Sequence, residues 1–461
     1  MNEKARLYQR ITSEMNEETV LARMRMHGFW PASAGVPPDP PEEVKDRQRI
    51  EKEIARLAGE RKKAADPEKA LAQERNRRIE ESRKRRAELK EKRAAEREAR
   101  QKEWAAFRER SVVHAGTGVS AGLETPGRSS LEELVRRGLP MMHDGQDLAR
   151  WLGITIGKLR WLTYHRNAAA LVHYHRFGIP KKSGGIRAIS APKASLAVAQ
   201  RWILTRILSR LTPDDAAHGF VHGRSIVSNA APHAGRRVVI NMDMKDFFPT
   251  VTFRRVKGLF RRLGYNEPVA VLLALLCTEP PRVAAELGGK AYFIALSSRT
   301  LPQGACTSPA ITNAVCHRLD RRLTGLAARH GFTYTRYADD LTFSGDDATA
   351  VGRLLRSIQS IAGSEGFVPH PEKTRVMRRG ERQEVTGVTV NDKVGVSRRE
   401  VRELRAILCN AARLGLATQN REAHPDFAGY LRGRVAYVAM VDPSKKSKLE
   451  AALARALEAR T

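Results

Sequence analysis

The hydrophobic pattern of the chain changes character several times. After the breaker Pro37-Pro38-Asp39-Pro40-Pro41, residues 43–110 are almost wholly Glu, Lys, Arg, Ala and Gln, without a sustained apolar stripe. That composition predicts a long helix carried by intrinsic propensity and by i,i+4 pairs such as Glu81–Arg85 and Glu88–Lys92, and it lends little to a coiled coil. Residues 115–128 are rich in Gly and Ser and read as a linker. Ser130 with Glu133 three positions on has the chemistry of a capping box. Apolar helical spacing then continues through Leu148, Trp151, Leu152, Leu159 and Trp161. The run Val238-Val239-Ile240-Asn241-Met242 predicts a largely buried strand. Phe332–Arg336 and Leu341–Ser344, both β-prone, flank a short polar centre and predict a hairpin. From residue 397 onward the spacing of Val401, Leu404, Ile407 and Leu408, and later Leu431, Val435 and Val438, is helical. There are no internal repeats.

The tip of the predicted hairpin is Tyr337-Ala338-Asp339-Asp340. A lone Asp-Asp is ordinarily a solvated turn, since Asp bonds its own backbone there. A third carboxylate, Asp243, ends the apolar strand about a hundred residues upstream, where an acid is costly unless it is paired or binds a metal. Carboxylates at two strand ends can converge on a pair of Mg²⁺ ions about 3.5–4 Å apart, one activating a hydroxyl and the other steadying pyrophosphate. Read singly, Asp243 is an N-cap and the pair a turn; read jointly, they are a nucleotidyl-transfer site.

In order and spacing, Asp243-Met244-Lys245-Asp246-Phe247-Phe248-Pro249, Leu301-Pro302-Gln303-Gly304 and Tyr337-Ala338-Asp339-Asp340 resemble the palm of a reverse transcriptase. The resemblance takes in Ile179–Arg187, similar to the fingers hairpin, as well as His370-Pro371-Glu372-Lys373-Thr374 and Val385-Thr386-Gly387-Val388. It covers about residues 128–445, roughly two thirds of the chain. Two features are similar to the bacterial retron group: Asn229-Ala230-Ala231-Pro232-His233, and Val385-Thr386-Gly387. Gln303–Pro309 also resembles a retron run, with Cys306 standing where Pro is common.

The resemblance implies an α+β right-hand polymerase with fingers, palm and helical thumb, preceded by a long charged helical extension. The implied division is 1–127 for the extension, 128–240 for fingers and entry helices, 241–395 for the palm and 396–461 for the thumb. It implies that Asp243, Asp339 and Asp340 hold two Mg²⁺ ions, Mn²⁺ being a substitute, with Met244 giving only its backbone carbonyl. Phe247, Phe248, Gln303 and Gly304 would shape the nucleotide site, the Phe248 ring excluding a 2′-hydroxyl so that dNTPs are taken. Lys181, Lys182 and Arg187 would grip phosphates, and Lys373 would protonate the leaving pyrophosphate. Asn229, His233, Val385, Thr386 and Gly387 would contact RNA or template, although Asn229 and His233 also fit a helix-end pair that satisfies local backbone. The implied template and primer are one cognate noncoding RNA. Priming from an internal guanosine 2′-hydroxyl would give a branched RNA–DNA product, and a separate effector protein would act in defence against phage. Two alternatives stay open: another bacterial reverse transcriptase, of intron or abortive-infection type, and a catalytically silent RNA-binding protein on the same fold.

Charge and cysteine usage agree with this. A formal net charge of +31 calls for a polyanionic partner. No apolar run approaches the roughly 20 residues of a spanning helix, so no membrane association is expected. Cys277, Cys306, Cys316 and Cys409 lack metal or disulfide spacing and fit buried thiols in a reducing cytoplasm. The charged helix of the extension is either a solvated rod or a basic surface lying along RNA phosphates.

Overall fold

The computed structural model describes residue 6 and residues 17–35, 41–63, 67–125, 127–181 and 184–458. The chain forms two compact units, Met1–Lys102 and Glu103–Thr461. The helix expected over 43–110 is two helices, Pro41–Lys63 in the first unit and Pro67–Arg110, whose last turns belong to the second, with residues 64–66 outside the described residues. Ile50, Ile54, Leu71 and Leu89 are each more than half exposed, so the first unit buries little and rests on helix propensity. Its ion pairs include Arg77 to Glu53 at 2.9 Å and Arg77 to Glu81 at 3.6 Å; such exposed pairs are screened by solvent and add little.

The second unit begins at Glu103 and takes in residues 115–128, which the sequence suggested were a linker; that reading is corrected. Val112, Ala115, Val119 and Leu123 are buried in one core with Leu134, Met142 and Leu148. The glycines here allow close packing rather than freedom: at Gly116, φ is +108° and a Cβ would lie 2.0 Å from the His165 carbonyl oxygen. The capping box at residue 130 is half formed. Ser130 Oγ accepts from the Glu133 N–H, but the Glu133 carboxylate turns to Arg136 and Arg137, at 2.6 and 3.3 Å. The Ser130 N–H donates instead to the Gly264 carbonyl, at 2.7 Å.

Short β1 (Ala168–Ala169) is followed by β2 (Tyr174–Pro180) and β3 (Ile186–Pro192), an antiparallel hairpin turning at Gly184 and Gly185. Then come β4 (Val238–Asp243), β5 (Arg282–Leu287), β6 (Lys290–Ala295), β7 (Phe332–Tyr337), β8 (Asp340–Gly345) and β9 (Arg375–Arg378). The order β7-β8-β4-β9 makes an antiparallel four-stranded sheet, and β1-β6-β5 a smaller one. A two-residue pair, β10 (Glu384–Val385) and β11 (Val388–Thr389), precedes the helices Arg398–Leu414, Phe427–Val441 and Lys446–Glu458.

Alternation along β4 separates two cores. Val238, Ile240 and Met242 join the larger core, which includes the helix Glu267–Cys277, apolar all round and buried from Val269 onward. Val239 faces the other way, into a second core of Val385, Leu404, Leu408, Leu431 and Val435. The sheet is therefore clamped on both faces, and the end of β4 that carries Asp243 inherits that rigidity.

Cys277 and Cys316 are buried, and burial pushes both thiols up to about 12. Cys306 is half-buried and Cys409 is exposed, so the expectation of buried thiols holds for two of the four. Among the described residues no helix is long and apolar enough to cross a membrane.

Candidate active site

Pairing between β4 and β8 sets Asp243 directly opposite Asp340. The turn joining β7 to β8 consists of Ala338 and Asp339, and the Asp339 carbonyl accepts from the Met244 N–H at 3.1 Å. Three acids distant in sequence thus meet at one edge of the sheet. The Asp243 carbonyl also accepts from the His370 N–H at 2.7 Å, which draws in the segment bearing Lys373. Lys373 Nζ then lies 2.6 Å from Asp243 Oδ2.

The electrostatics show unmet negative charge. Surrounding protein and then the charges of Asp339 and Asp243 push the Asp340 carboxyl up to about 7, although the residue itself keeps an open face to solvent. Burial and then Asp243 also raise Asp339. Lys373 is raised in turn, chiefly by its bond to Asp243. The donors are hard carboxylate oxygens, suited to a divalent cation such as Mg²⁺, and a cation would offset both the burial and the repulsion that raise these carboxyls. Among the described residues no group of three acidic, His or Cys side chains forms a ready-made metal cage. One oxygen of Asp243 is instead committed to the Lys373 ammonium, which supplies the local positive charge.

Asp243 and Asp339 open onto a cavity of about 1060 Å³ lined by Lys181, Arg187, Met244, Phe247, Phe248, Gln303 and Lys373 among others. Arg187 is near enough that its charge pulls Asp339 down. Lys182 lies outside the described residues. Phe247 is buried and packs on Phe367, with ring centroids 5.7 Å apart, so it is a core residue beneath the site; Phe248 is only partly buried. The Gln303 carbonyl accepts from the Ser190 N–H at 2.7 Å, fastening the loop to β3. Gly304 has φ +112°, and a Cβ there would lie 2.8 Å from Ile189 Cγ2. Its close approach within the protein is to the fingers strand.

Three residues expected to touch RNA are placed elsewhere. Asn229, His233 and Val385 are fully buried. His233 bonds Ser344 Oγ through Nδ1 and Thr335 Oγ1 through Nε2, each at 2.7 Å, and Asn229 Nδ2 donates to Thr386 Oγ1 at 3.4 Å. They join the palm sheet to the β10–β11 turn, where Gly387 is exposed and Thr386 half-buried. Ile189 also lines the cavity and gave no signal of its own in the sequence, while Ile186 and His370 line it from the two stretches that carried the resemblance.

Comparison with known proteins agrees with this geometry. The family described as reverse transcriptase (RNA-dependent DNA polymerase) matches residues 179–396. The chain is 50% identical to the Retron Mx65 reverse transcriptase of Myxococcus xanthus over 69% of this chain and 73% of that protein. This protein belongs to the retron reverse transcriptases. The Retron Mx162 enzyme of Myxococcus xanthus is 44% identical over 74% of this chain and 73% of its own, and the Retron Ec86 enzyme of Escherichia coli 34% identical over 58% and 78%. This retron reverse transcriptase is therefore an RNA-directed DNA polymerase of α+β fold. That membership decides against the intron-type, abortive-infection and silent-binder alternatives.

Proposed function

We propose that the enzyme copies part of its cognate structured noncoding RNA into DNA, starting from the 2′-hydroxyl of an internal guanosine, so that the product is single-stranded DNA branched from RNA. The observation that carries this reading is the meeting of Asp243, Asp339 and Asp340, the first two of them lining a cavity walled by basic fingers residues, in a chain 50% identical to a retron enzyme over 69% of its length. Asp243, Asp339 and Asp340 hold divalent metal, two Mg²⁺ ions by family resemblance, with Met244 offering its carbonyl. A divalent ion held there would supply a lowered pKa for the attacking hydroxyl and neutralisation of charge on the phosphates. Lys181, Lys182 and Arg187 bind the triphosphate with charge-assisted bonds. Phe248 presents its ring to the sugar and Gln303 shapes the floor of the site. Lys373 moves a proton toward the departing pyrophosphate.

The net charge of +31 suits a long RNA held mainly through phosphates, with Thr386 and Gly387 on the exposed turn among its contacts. The reaction takes place in the cytoplasm, and the product works with a separate effector protein in defence against phage. The test is to supply purified enzyme with its RNA, dNTPs and Mg²⁺ and to digest the product with ribonuclease. DNA that keeps a ribonucleotide stub removable by a 2′,5′-debranching enzyme is the expected result. DNA with a free 5′ end, or DNA attached through a 3′-hydroxyl, would overturn the branched reading.

A further inference from the structure

The catalytic turn is held from behind by charge. Arg336, on β7, and Asp320, on the helix Ser308–Arg329, are both fully buried and form a two-pronged pair, Nη2 to Oδ2 at 2.7 Å and Nε to Oδ1 at 2.8 Å. Tyr334 donates its hydroxyl to the same carboxylate at 2.9 Å. The remaining prong, Arg336 Nη1, donates to the Ala338 carbonyl at 3.1 Å and to Asn313 Oδ1 at 2.9 Å. Asn313 Nδ2 in turn donates to the Gly219 carbonyl at 3.0 Å. Gly219 presses on the turn from another side: a Cβ there would lie 2.4 Å from the Ala338 nitrogen and 3.0 Å from the Tyr337 carbonyl carbon. Backbone bonds seal the arrangement, Arg336 N–H to Ala216 and His218 N–H to Arg336, each at 2.7 Å.

The turn needs such support. Ala338 sits at φ +59°, a left-handed conformation that a residue with a Cβ avoids and that persists only where its surroundings over-determine it. The next two residues are like-charged acids that repel one another. A buried ion pair is a poor source of net stability, because desolvation offsets most of its attraction. A fixed fork of donors is instead a good source of geometry.

We infer that Arg336, Asp320, Asn313 and Gly219 are positioning residues, which clamp the Ala338 peptide so that Asp339 and Asp340 are presented at a fixed spacing to Asp243. This rests on the reading of the three acids as catalytic. Among the described residues none of the clamp's side-chain hydrogen bonds reaches a residue that lines the cavity or the exposed β10–β11 turn, so its loss acts on the chemical step and on metal dependence while leaving nucleotide and RNA binding in place.

The test uses the full chain on an annealed RNA template and DNA primer, with Gly219→Ala and Asn313→Ala as separate variants. Arg336→Met with Asp320→Leu is a third variant that removes both charges together. Thermal melting identifies which variants are folded. Each folded variant is expected to lose about 10- to 100-fold in single-turnover rate, the scale set by a misplacement of about 1 Å. Its Mg²⁺ requirement should rise, while KM for dNTP and affinity for primer–template stay within about twofold. Arg336→Lys is not expected to restore the rate, because an ammonium cannot serve both Asp320 oxygens and the turn. Folded Gly219→Ala and Asn313→Ala proteins with wild-type rate and wild-type Mg²⁺ dependence would overturn the inference. So would a loss that appears wholly as raised KM. Asp339→Asn with Asp340→Asn is run alongside: activity in that control would instead sink the catalytic reading of the acids.

Discussion

Asp243 and Asp340 face each other across the β4–β8 ladder, and Lys373 holds the outer oxygen of Asp243 at 2.6 Å. The ammonium is thereby fixed beside the acids and within the cavity where a triphosphate would lie. Lys373→Met should lower the single-turnover rate by about a hundredfold, the low end for loss of a general acid, while primer–template binding is unchanged. A rate within twofold of wild type would remove Lys373 from the proton path.

Phe248 is the partly buried aromatic of the cavity wall, while Phe247 is committed to the core. Phe248→Val should therefore admit ribonucleotides with the fold intact, and Phe247→Val should chiefly lower stability. Competition between dNTP and rNTP in primer extension checks this. Unchanged discrimination in Phe248→Val would place the gate on another residue.

The extension can be separated from the polymerase only at the boundary that packing allows. Deleting residues 1–102 should leave extension of a simple primer–template intact, because the acids, the cavity-lining residues and both cores lie beyond residue 102. Deletion through residue 120 strips out Val112, Ala115 and Val119 and should lower the melting temperature. If the basic helices lie along RNA, the 1–102 deletion should weaken binding to the cognate RNA and flatten its salt dependence by about 0.7–0.9 per lost phosphate contact. Equal affinity and equal slope would assign the extension a role other than RNA binding.

Acid should destabilise the palm through His233. Burial, then the charges of His218 and Arg236, push its pKa down from 6.5 to about 3. The folded state thus binds fewer protons than the unfolded chain below pH 6.5. The stability linked to this group is fully present above that value and is lost progressively as pH falls toward 3. At about 1.4 kcal/mol per pH unit, lowering the pH from 6.5 to 5 costs about 2 kcal/mol. Chemical unfolding at pH 7.5 and pH 5 should show His233→Asn less stable at the higher pH but with a shallower decline. An identical decline in both proteins would mean that other groups carry the acid sensitivity.

The parts of this site legible in sequence were those with strong local signatures. The β4 run and the β7–β8 hairpin announced themselves by apolar and β-branched periodicity, and the acids stood out because carboxylates end strands that are otherwise apolar. The thumb helices were visible for the same reason. What stayed hidden depends on contacts distant along the chain. Gly116 and its neighbours look like a flexible linker until the His165 carbonyl is seen where a Cβ would go. Asn229 and His233 were expected at RNA, but their partners Thr386, Ser344 and Thr335 lie more than a hundred residues away. Arg336 reads as one more basic residue in a chain of +31, and only burial against Asp320 shows it to be structural.

The central claim is that Asp243, Asp339 and Asp340 make DNA on the enzyme's own RNA. The most direct measurement is to co-express the protein with its RNA, purify it, and sequence the nucleic acid it carries, comparing wild type with Asp339→Asn/Asp340→Asn. Wild type should carry a short DNA of defined sequence joined to RNA at one guanosine, and the double variant should carry the same RNA with DNA reduced to a few percent or less. Equal DNA on both proteins, or RNA alone on the wild type, would contradict the account.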